Sequence, residues 1–594
     1  MTRRPTVPRS RKPLAAALGA ALAVPLLAAA PAAAQAPTAG HVTVTPLKFT
    51  VRAGDRTCAI DADLYRPAGV DKRHPAPAVL TTNGFGGSKS DGSTTGTAKA
   101  FADRGYVTLA YSGLGFGESG CLISLDAPGT DGRAASRLID FLAGTRAADD
   151  GTRIDFVTRD RPGDPRVGMI GGSYGGAIQM ATAAVDHRVD ALVPMITWND
   201  LSYALDPNNA ADRTVPGAFK WQWTNGFYLI GESQPITLPN LDPSRWGTLG
   251  CVHFAPDACK TIGLLNSGSY PAAPTAAMLR YARSVSPVTY LDRVEAPTLL
   301  IQGQTDSLFN LNEATATYNT LKGNGTTTKM IWQSWGHSGG QAPGELDLSK
   351  GNMESSYTGR RILSWFDRYL RGLRHTDTGP AFAYYRDWQS GYGEAAKVPP
   401  LTQKMYLSGD GKLVDNRAKV ARGSRTYTNA LVPTSHSESS LAGMIGLPDP
   451  APYDTPGTYL GWDTDPLAAP VDVVGSAKAT LKVSSPTARR TQNSRDAADK
   501  LVLFAKLYDV APDGTKTLVR RLVAPVRVPD VTQPFTVALP GIAHRYEAGH
   551  RIEFAIAASD DAYLGNKGIK PVTVVSAPGD TGTLQLPVVS GRSN

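Results

Sequence analysis

Gly171-Gly172-Ser173-Tyr174-Gly175 sets a serine between small residues. It stands after the apolar run Val167-Gly168-Met169-Ile170 and just before the helical stretch Ala177–Val185. A turn this tight between strand and helix projects the middle side chain at the top of a sheet, which suits a nucleophile. The Tyr174 amide, at the helix N-terminus, points where negative charge would gather on an attacked carbonyl oxygen. A serine hydroxyl needs a base, and the base needs an orienting acid. Asp306 comes just after the apolar run Thr298–Gln302. The rival Asp292 precedes that run and would sit at the wrong end of a sheet. Of nine histidines, only His337 follows the last strand-like run in a glycine-flanked loop, Trp335-Gly336-His337-Ser338-Gly339-Gly340. His187 precedes a strand, His375 lies beyond the closing helix, and His436, His544 and His550 belong to a later region. The chemistry expected is acyl transfer, with Ser173 as nucleophile, His337 as general base and Asp306 as orienter.

A second oxyanion donor should come from Thr82-Asn83-Gly84-Phe85-Gly86-Gly87-Ser88, where glycines let the backbone approach a substrate and the Phe85 amide is free to donate. Tyr111-Ser112-Gly113-Leu114-Gly115-Phe116-Gly117-Glu118-Ser119 also alternates glycines. It lacks a following helix and a Lys-Ser/Thr ending, so it reads as a wall of the site rather than a phosphate loop. No spacing of Cys or His suggests a metal site, and the acyl-transfer chemistry needs no cofactor.

The elements that must position these residues alternate from about residue 42 to 375. Strand-like runs such as Ala78–Thr82, Tyr106–Tyr111 and Lys329–Gln333 are continuously apolar, as expected of strands covered on both faces. Helical stretches lie between them, and Arg360–Leu370 closes the series. The expected fold is an α/β sheet of hydrolase type over 35–197 and 291–376. Residues 198–290 interrupt it with an aromatic-rich stretch that reads as a helical cap over a pocket. Trp198, Asp200 and Trp223 are its candidate substrate-binding residues; Asp206 and Glu232 join Asp200 as carboxylates able to hold a substrate ammonium group. From 380 to 594 short β runs and turn signals such as Pro512-Asp513-Gly514 predict an all-β sandwich of jelly-roll type.

The chain has 594 residues, 41% hydrophobic and 19% charged, which suits several packed domains and excludes wholesale disorder. Its formal charge of +9 owes much to five basic residues among the first 34; without them 56 basic residues face 52 acidic ones. That balance gives no reason to expect nucleic acid as a partner. The basic start, the apolar run Leu14–Ala30 and Ala32-Ala33-Ala34 read as a secretory signal cleaved after Ala34, leaving no stable membrane span. The four cysteines agree with export. Of their three possible connectivities we favour Cys58–Cys121, joining two segments of one domain, and Cys251–Cys259, closing a local loop.

Taken together, the elbow, the Ser-Asp-His order, the inserted cap and the β tail resemble the X-prolyl dipeptidyl-peptidase and cocaine-esterase family of serine hydrolases, over about residues 45 to 590. Leu507-Tyr508-Asp509-Val510-Ala511-Pro512-Asp513-Gly514 and Ala548-Gly549-His550-Arg551-Ile552 look like that family's non-catalytic C-terminal domain. The resemblance implies Ser173, Asp306 and His337 as the triad. Where the family often uses a tyrosine hydroxyl as oxyanion donor, this chain has Asn83-Gly84-Phe85-Gly86-Gly87, which leaves a backbone donor. The function expected is a secreted X-prolyl dipeptidyl-peptidase-like exopeptidase acting on small peptides. The alternatives are a carboxylic ester hydrolase of cocaine-esterase type and, in another class, a non-catalytic cell-surface binding protein.

Overall fold

The structure is a computed structural model that describes residues 41–210, 215–234, 242–444 and 447–589. The signal segment expected over residues 1–34 lies outside the described residues. A ten-stranded mixed sheet organises the first part of the chain. Its strands are β1 (Thr43–Ala53), β2 (Arg56–Arg66), β3 (Ala78–Thr82), β4 (Val107–Tyr111), β5 (Val167–Gly172), β6 (Val189–Met195), β7 (Thr298–Gly303), β8 (Thr328–Gln333), β9 (Phe382–Arg386) and β10 (Gly391–Ala395). They lie in the order β1-β2-β4-β3-β5-β6-β7-β8-β9-β10. From β4 to β9 every neighbouring pair is parallel, and antiparallel pairs close both edges.

The sequence dictates this layering. β3, β4 and β7 are buried at every residue, so both faces must be covered. Helices α2 (Arg133–Leu142) and α3 (Tyr174–Ala183) supply one cover, packing Leu138, Phe141 and Met180 into a core with Leu80 and Leu109. On the other face α1 (Gly92–Asp103) and α9 (Tyr357–Tyr369) bring in Phe101, Ile362, Trp365 and Phe366 against Val79 and Ile301. Burial of each such large side chain contributes about 1.5–3 kcal/mol.

Between β6 and β7 the cap contributes α4 (Leu201–Leu205), α5 (Trp221–Ser233), α6 (Pro256–Ser267) and α7 (Ala272–Ser284). α8 (Leu311–Gly323) follows β7 and touches the C-terminal region: Asn312 Nδ2 donates to the Leu539 carbonyl at 3.2 Å, while its Oδ1 accepts from the Gly541 amide at 3.0 Å.

The C-terminal region consists of antiparallel sheets. The two largest are built around Val471–Leu481 paired with Phe535–Tyr546, and around Val502–Val510 paired with Arg551–Ala557. Alternate residues of both, including Val473, Ala479, Leu503 and Phe554, meet in one core. The boundary differs from the expected residue 380. β9 pairs in parallel with β8 (Met330 opposite Phe382) and β10 closes the edge, so 382–395 complete the hydrolase sheet. Phe382 is drawn there by Trp332, with ring centroids 4.8 Å apart.

Among the described residues no helix is long and apolar enough to cross a membrane, and no group of three or more Asp, Glu, His or Cys is poised for a metal ion.

Candidate active site

The chain turns from β5 into α3 at Ser173, whose φ of 56° is rare for a residue with a Cβ. The strain persists because the surroundings over-determine it. The Ser173 amide donates to the Met195 carbonyl at 2.9 Å, and its carbonyl accepts from Gly176 and Ala177 at 2.9 and 3.2 Å. A Cβ on Gly171 would stand 2.6 Å from the Gly175 carbonyl oxygen, so only glycine permits so sharp a turn.

The end of β7 carries Asp306 and the end of β8 carries His337, and the sheet order brings both loops beside the elbow. His337 Nε2 is 2.8 Å from Ser173 Oγ, and Nδ1 is 2.7 Å from Asp306 Oδ2. Asp306 has no solvent exposure; its Oδ1 accepts from the Phe309 amide at 2.7 Å. With that oxygen occupied, Oδ2 is left to accept a hydrogen bond from Nδ1–H, which leaves the lone pair of Nε2 facing the serine. The imidazole is boxed edge-on by Phe309 and Trp223, with centroids at 5.1 and 6.2 Å.

Tyr174 opens α3 directly after Ser173, and Phe85 lines the cavity over it. Among the described residues neither the Tyr174 nor the Phe85 amide has an acceptor within the protein. The loop carrying Phe85 is held from below: Asn83 Nδ2 donates to the Gly84 carbonyl at 2.7 Å, and Asn83 Oδ1 accepts from the Gly113 amide at 2.9 Å. The Phe85 ring is itself an anchor, packed against Phe116, Tyr174 and Phe227 at 5.0, 5.7 and 5.2 Å.

A cavity of about 380 Å³ opens over Ser173 and His337, walled by Phe85, Phe227, Ile196 and Leu348. Among the described residues its one lining carboxylate is Asp347. The Lys350 ammonium, 2.8 Å away, and the Ser349 hydroxyl hold Asp347 down at about 2, so it is ionised but already paired. A second, smaller hollow of about 80 Å³ lies behind the Phe85 and Phe227 rings, lined by Leu125, Leu205, Phe254 and Leu265.

Of the substrate residues expected in the cap, Trp223 stands beside the imidazole. Trp198 is packed under Tyr174 and Phe309 and does not line the cavity. Of the three cap carboxylates, Asp200 and Glu232 are engaged elsewhere, and Asp206 is buried with neither oxygen hydrogen-bonded among the described residues. Asp200 caps α4, accepting from the Ser202 amide at 3.0 Å, with Arg283 at 3.6 Å. Asp206 is buried in the field of Arg527 from the C-terminal region; burial, only partly offset by that guanidinium, raises it to about 6. Glu232 accepts from the Val252 and His253 amides at 2.9 and 3.1 Å. None of the three lines the cavity. The four cysteines form Cys58–Cys121 and Cys251–Cys259, the first tying the Gly-rich loop after β4 to β2.

Sequence reasoning missed Asp347 and a buried pair beside the acid loop. Lys220 donates to the Ser307 and Leu308 carbonyls at 2.6 and 2.8 Å, and Glu438 of the C-terminal region meets Trp223 and Ser307. No local pattern marks Glu438; only the docking of the two regions brings it here.

The profile of X-Pro dipeptidyl-peptidase (S15 family) matches residues 55–339, and that of the X-Pro dipeptidyl-peptidase C-terminal non-catalytic domain matches residues 377–575. No curated protein sequence matches the chain. Among solved structures it is similar to an aminopeptidase from a marine sediment Thaumarchaeota archaeon, at 17% identity and a TM-score of 0.67, covering 92% of this chain and 97% of that one. An α-amino acid ester hydrolase is similar at 17% identity and a TM-score of 0.61, with 92% and 97% covered. A CocE/NonD family hydrolase from Staphylococcus aureus follows at 13% identity and a TM-score of 0.58, with 93% and 97% covered. These likenesses extend over both the hydrolase sheet and the antiparallel region. With both of its profiles matched in order along one chain, this protein belongs to the X-Pro dipeptidyl-peptidase (S15) family of serine hydrolases.

Proposed function

We propose that this hydrolase cleaves esters of carboxylic acids with an uncharged acyl group, by a Ser-His-Asp acyl-enzyme mechanism. His337 takes the Ser173 proton as Oγ attacks the carbonyl carbon. The Tyr174 and Phe85 amides receive the oxyanion. His337 then returns the proton to the leaving oxygen, and water repeats the sequence to release the acid. Asp306 holds the imidazole in the productive tautomer and stabilises its charged form.

The observation that carries the ester reading is the state of the carboxylates. An exopeptidase must pair its substrate's α-ammonium group, because a buried unpaired charge is costly. Asp200 and Glu232 are engaged elsewhere, Asp206 is buried away from the cavity, and Asp347 is held by Lys350. The apolar walls and the hollow behind Phe85 and Phe227 suit an uncharged acyl chain. A second reading, an X-prolyl dipeptidyl-peptidase, is favoured by the family whose profiles the chain matches. Export belongs to the same proposal, supported by the leader-like first 34 residues and the two disulfides.

The deciding experiment compares a short-chain p-nitrophenyl ester with an Ala-Pro anilide, free and N-acetylated, using Ser173→Ala as control. Ester turnover that vanishes in the control, with no anilide cleavage, is expected. Anilide cleavage abolished by acetylating the amine would overturn the ester reading and establish the exopeptidase.

A further inference from the structure

Glu438 belongs to the C-terminal region, yet it reaches the loops that carry the triad. It is 6% exposed. Its Oε1 accepts from Trp223 Nε1 at 3.1 Å and from the Ser307 hydroxyl. Ser307 Oγ is in turn 2.6 Å from Ser338 Oγ. Ser307 follows Asp306 in the chain, Ser338 follows His337, and Trp223 is the ring standing edge-on to the imidazole. One carboxylate oxygen thus gathers hydrogen bonds from the neighbours of both the acid and the base.

We propose that Glu438 is a positioning residue for the triad: the C-terminal region uses it to clamp the acid loop and the histidine loop in register. The proposal rests on the Ser-His-Asp reading given above.

Burial pushes the Glu438 carboxyl up, and the Ser307, Trp223 and Ser338 donors and the Lys220 charge offset part of that rise. Ser307, Ser338 and Trp223 can all donate, and a carboxylate is acceptor-only, so it orients all three at once. A carboxamide would turn two N–H donors into the same cluster. The charge is balanced locally by Lys220, which grips the same acid loop from its other side through the Ser307 and Leu308 carbonyls. Asp306, Glu313 and Tyr563 are the other titratable groups facing this pair.

The segment that presents Glu438 is braced within its own region. His436 lies between Asp561 and Asp449, at 2.7 and 3.1 Å. Ser437 donates to Asp560 at 2.8 Å, and the Ser439 amide donates to Asp449 at 2.9 Å. Helix α5, which carries Trp223, is bound both to this segment and to its brace: the Ser440 hydroxyl donates to Gln222 Oε1 at 3.3 Å, and Trp221 Nε1 donates to the Asp561 carbonyl at 2.8 Å. A carboxylate on so fixed a support can set the distance between two loops; a mobile one could not.

The test measures p-nitrophenyl ester hydrolysis by the full chain in Glu438→Ala, Glu438→Gln, Ser307→Ala and the double variant Glu438→Ala/Ser307→Ala. Misplacing a reacting group by a fraction of an ångström to one ångström should lower kcat roughly ten- to a hundredfold. KM should stay within about twofold, and fluorophosphonate labelling of Ser173 should slow in parallel with kcat. Because both residues act through one network, the double variant should be no slower than the slower single variant, within about twofold. Wild-type kcat in a folded Glu438→Ala, or losses that multiply in the double variant, would overturn the proposal. Should Glu438→Ala not fold, Ser307→Ala carries the test by itself, and wild-type kcat there overturns it. Turnover that persists in Ser173→Ala refutes the triad reading and this one with it. Turnover lost in Ser173→Ala but retained in Glu438→Ala refutes this one alone.

Discussion

Asp306→Asn exchanges one atom in a site whose geometry dictates the outcome. Asp306 Oδ1 accepts from the Phe309 amide at 2.7 Å, and that donor is fixed in the backbone. An asparagine must therefore turn its carbonyl oxygen to Phe309 and its NH2 toward His337 Nδ1. The reverse orientation breaks the Phe309 hydrogen bond and sets two N–H groups face to face in a buried site, so the first orientation dominates. Gln302 Nε2 lies 3.5 Å from Oδ2 and already donates to the Phe309 carbonyl at 2.6 Å, too weak a contact to reverse the choice. An NH2 facing Nδ1 forces the proton onto Nε2, which then cannot accept the serine proton. Loss of the correct tautomer lowers kcat by about 10⁴-fold, or about 5 kcal/mol in the barrier. The assay is kcat on a p-nitrophenyl ester together with the rate of fluorophosphonate labelling, with circular dichroism to verify folding. A folded Asp306→Asn enzyme within about tenfold of wild type would refute the argument that Asp306 sets the tautomer.

Two further outcomes follow from local geometry. Gly171→Ala places a methyl 2.6 Å from the Gly175 carbonyl oxygen, and both sides of that contact are backbone. The elbow cannot close around it, so labelling of Ser173 should be lost even in whatever soluble protein is recovered; normal labelling would show that the turn is less constrained than its φ implies. Asp347 is held at about 2 by Lys350 and Ser349, below the ordinary carboxylate value of about 3.9. A depressed carboxylate stabilises the fold fully above its unfolded pKa and loses that contribution as pH falls through the folded one. The melting temperature of wild type should therefore exceed that of Asp347→Asn at pH 6, and the gap should shrink between about pH 4 and about pH 2. A gap independent of pH would show that the ion pair contributes nothing.

The parts of this molecule legible in its sequence are those encoded by neighbours in the chain. The run Val167–Ile170, the glycines and the helix after them specify the strand, turn and helix together. The unbroken apolar runs of β3, β4 and β7 announce a sheet covered on both faces, and the fold class follows. What escaped reading depends on partners far along the chain. Asp206 reads as an exposed acid until Arg527 is found beside it, and Glu232 until the Val252 and His253 amides turn to meet it. Asp200 is held locally: it accepts from the Ser202 amide, two residues on, and so caps α4. Phe382–Tyr385 lie past the expected boundary at 380, and the pairing with β8 and the contact with Trp332 that place them in the hydrolase sheet are made with residues about fifty positions earlier. Glu438 has no local signature, since its meaning lies wholly in what docks against it.

The pairing of β9 with β8 also bears on how the protein is made. During synthesis the chain emerges from its N-terminus, and Ser173, Asp306 and His337 are all translated before residues 382–395 exist. Until those residues arrive, β8 is an open edge, with the backbone groups of Met330–Trp332 unpaired on one side. An apolar edge of that kind is a template for another chain. A fragment ended at residue 376, where the alternation of strands and helices stops, would contain the complete triad and still carry that edge. Ending it beyond Ala395 keeps the sheet closed by its antiparallel border strand, so the shortest fragment with a closed sheet is set by the sheet's margin rather than by the position of the triad.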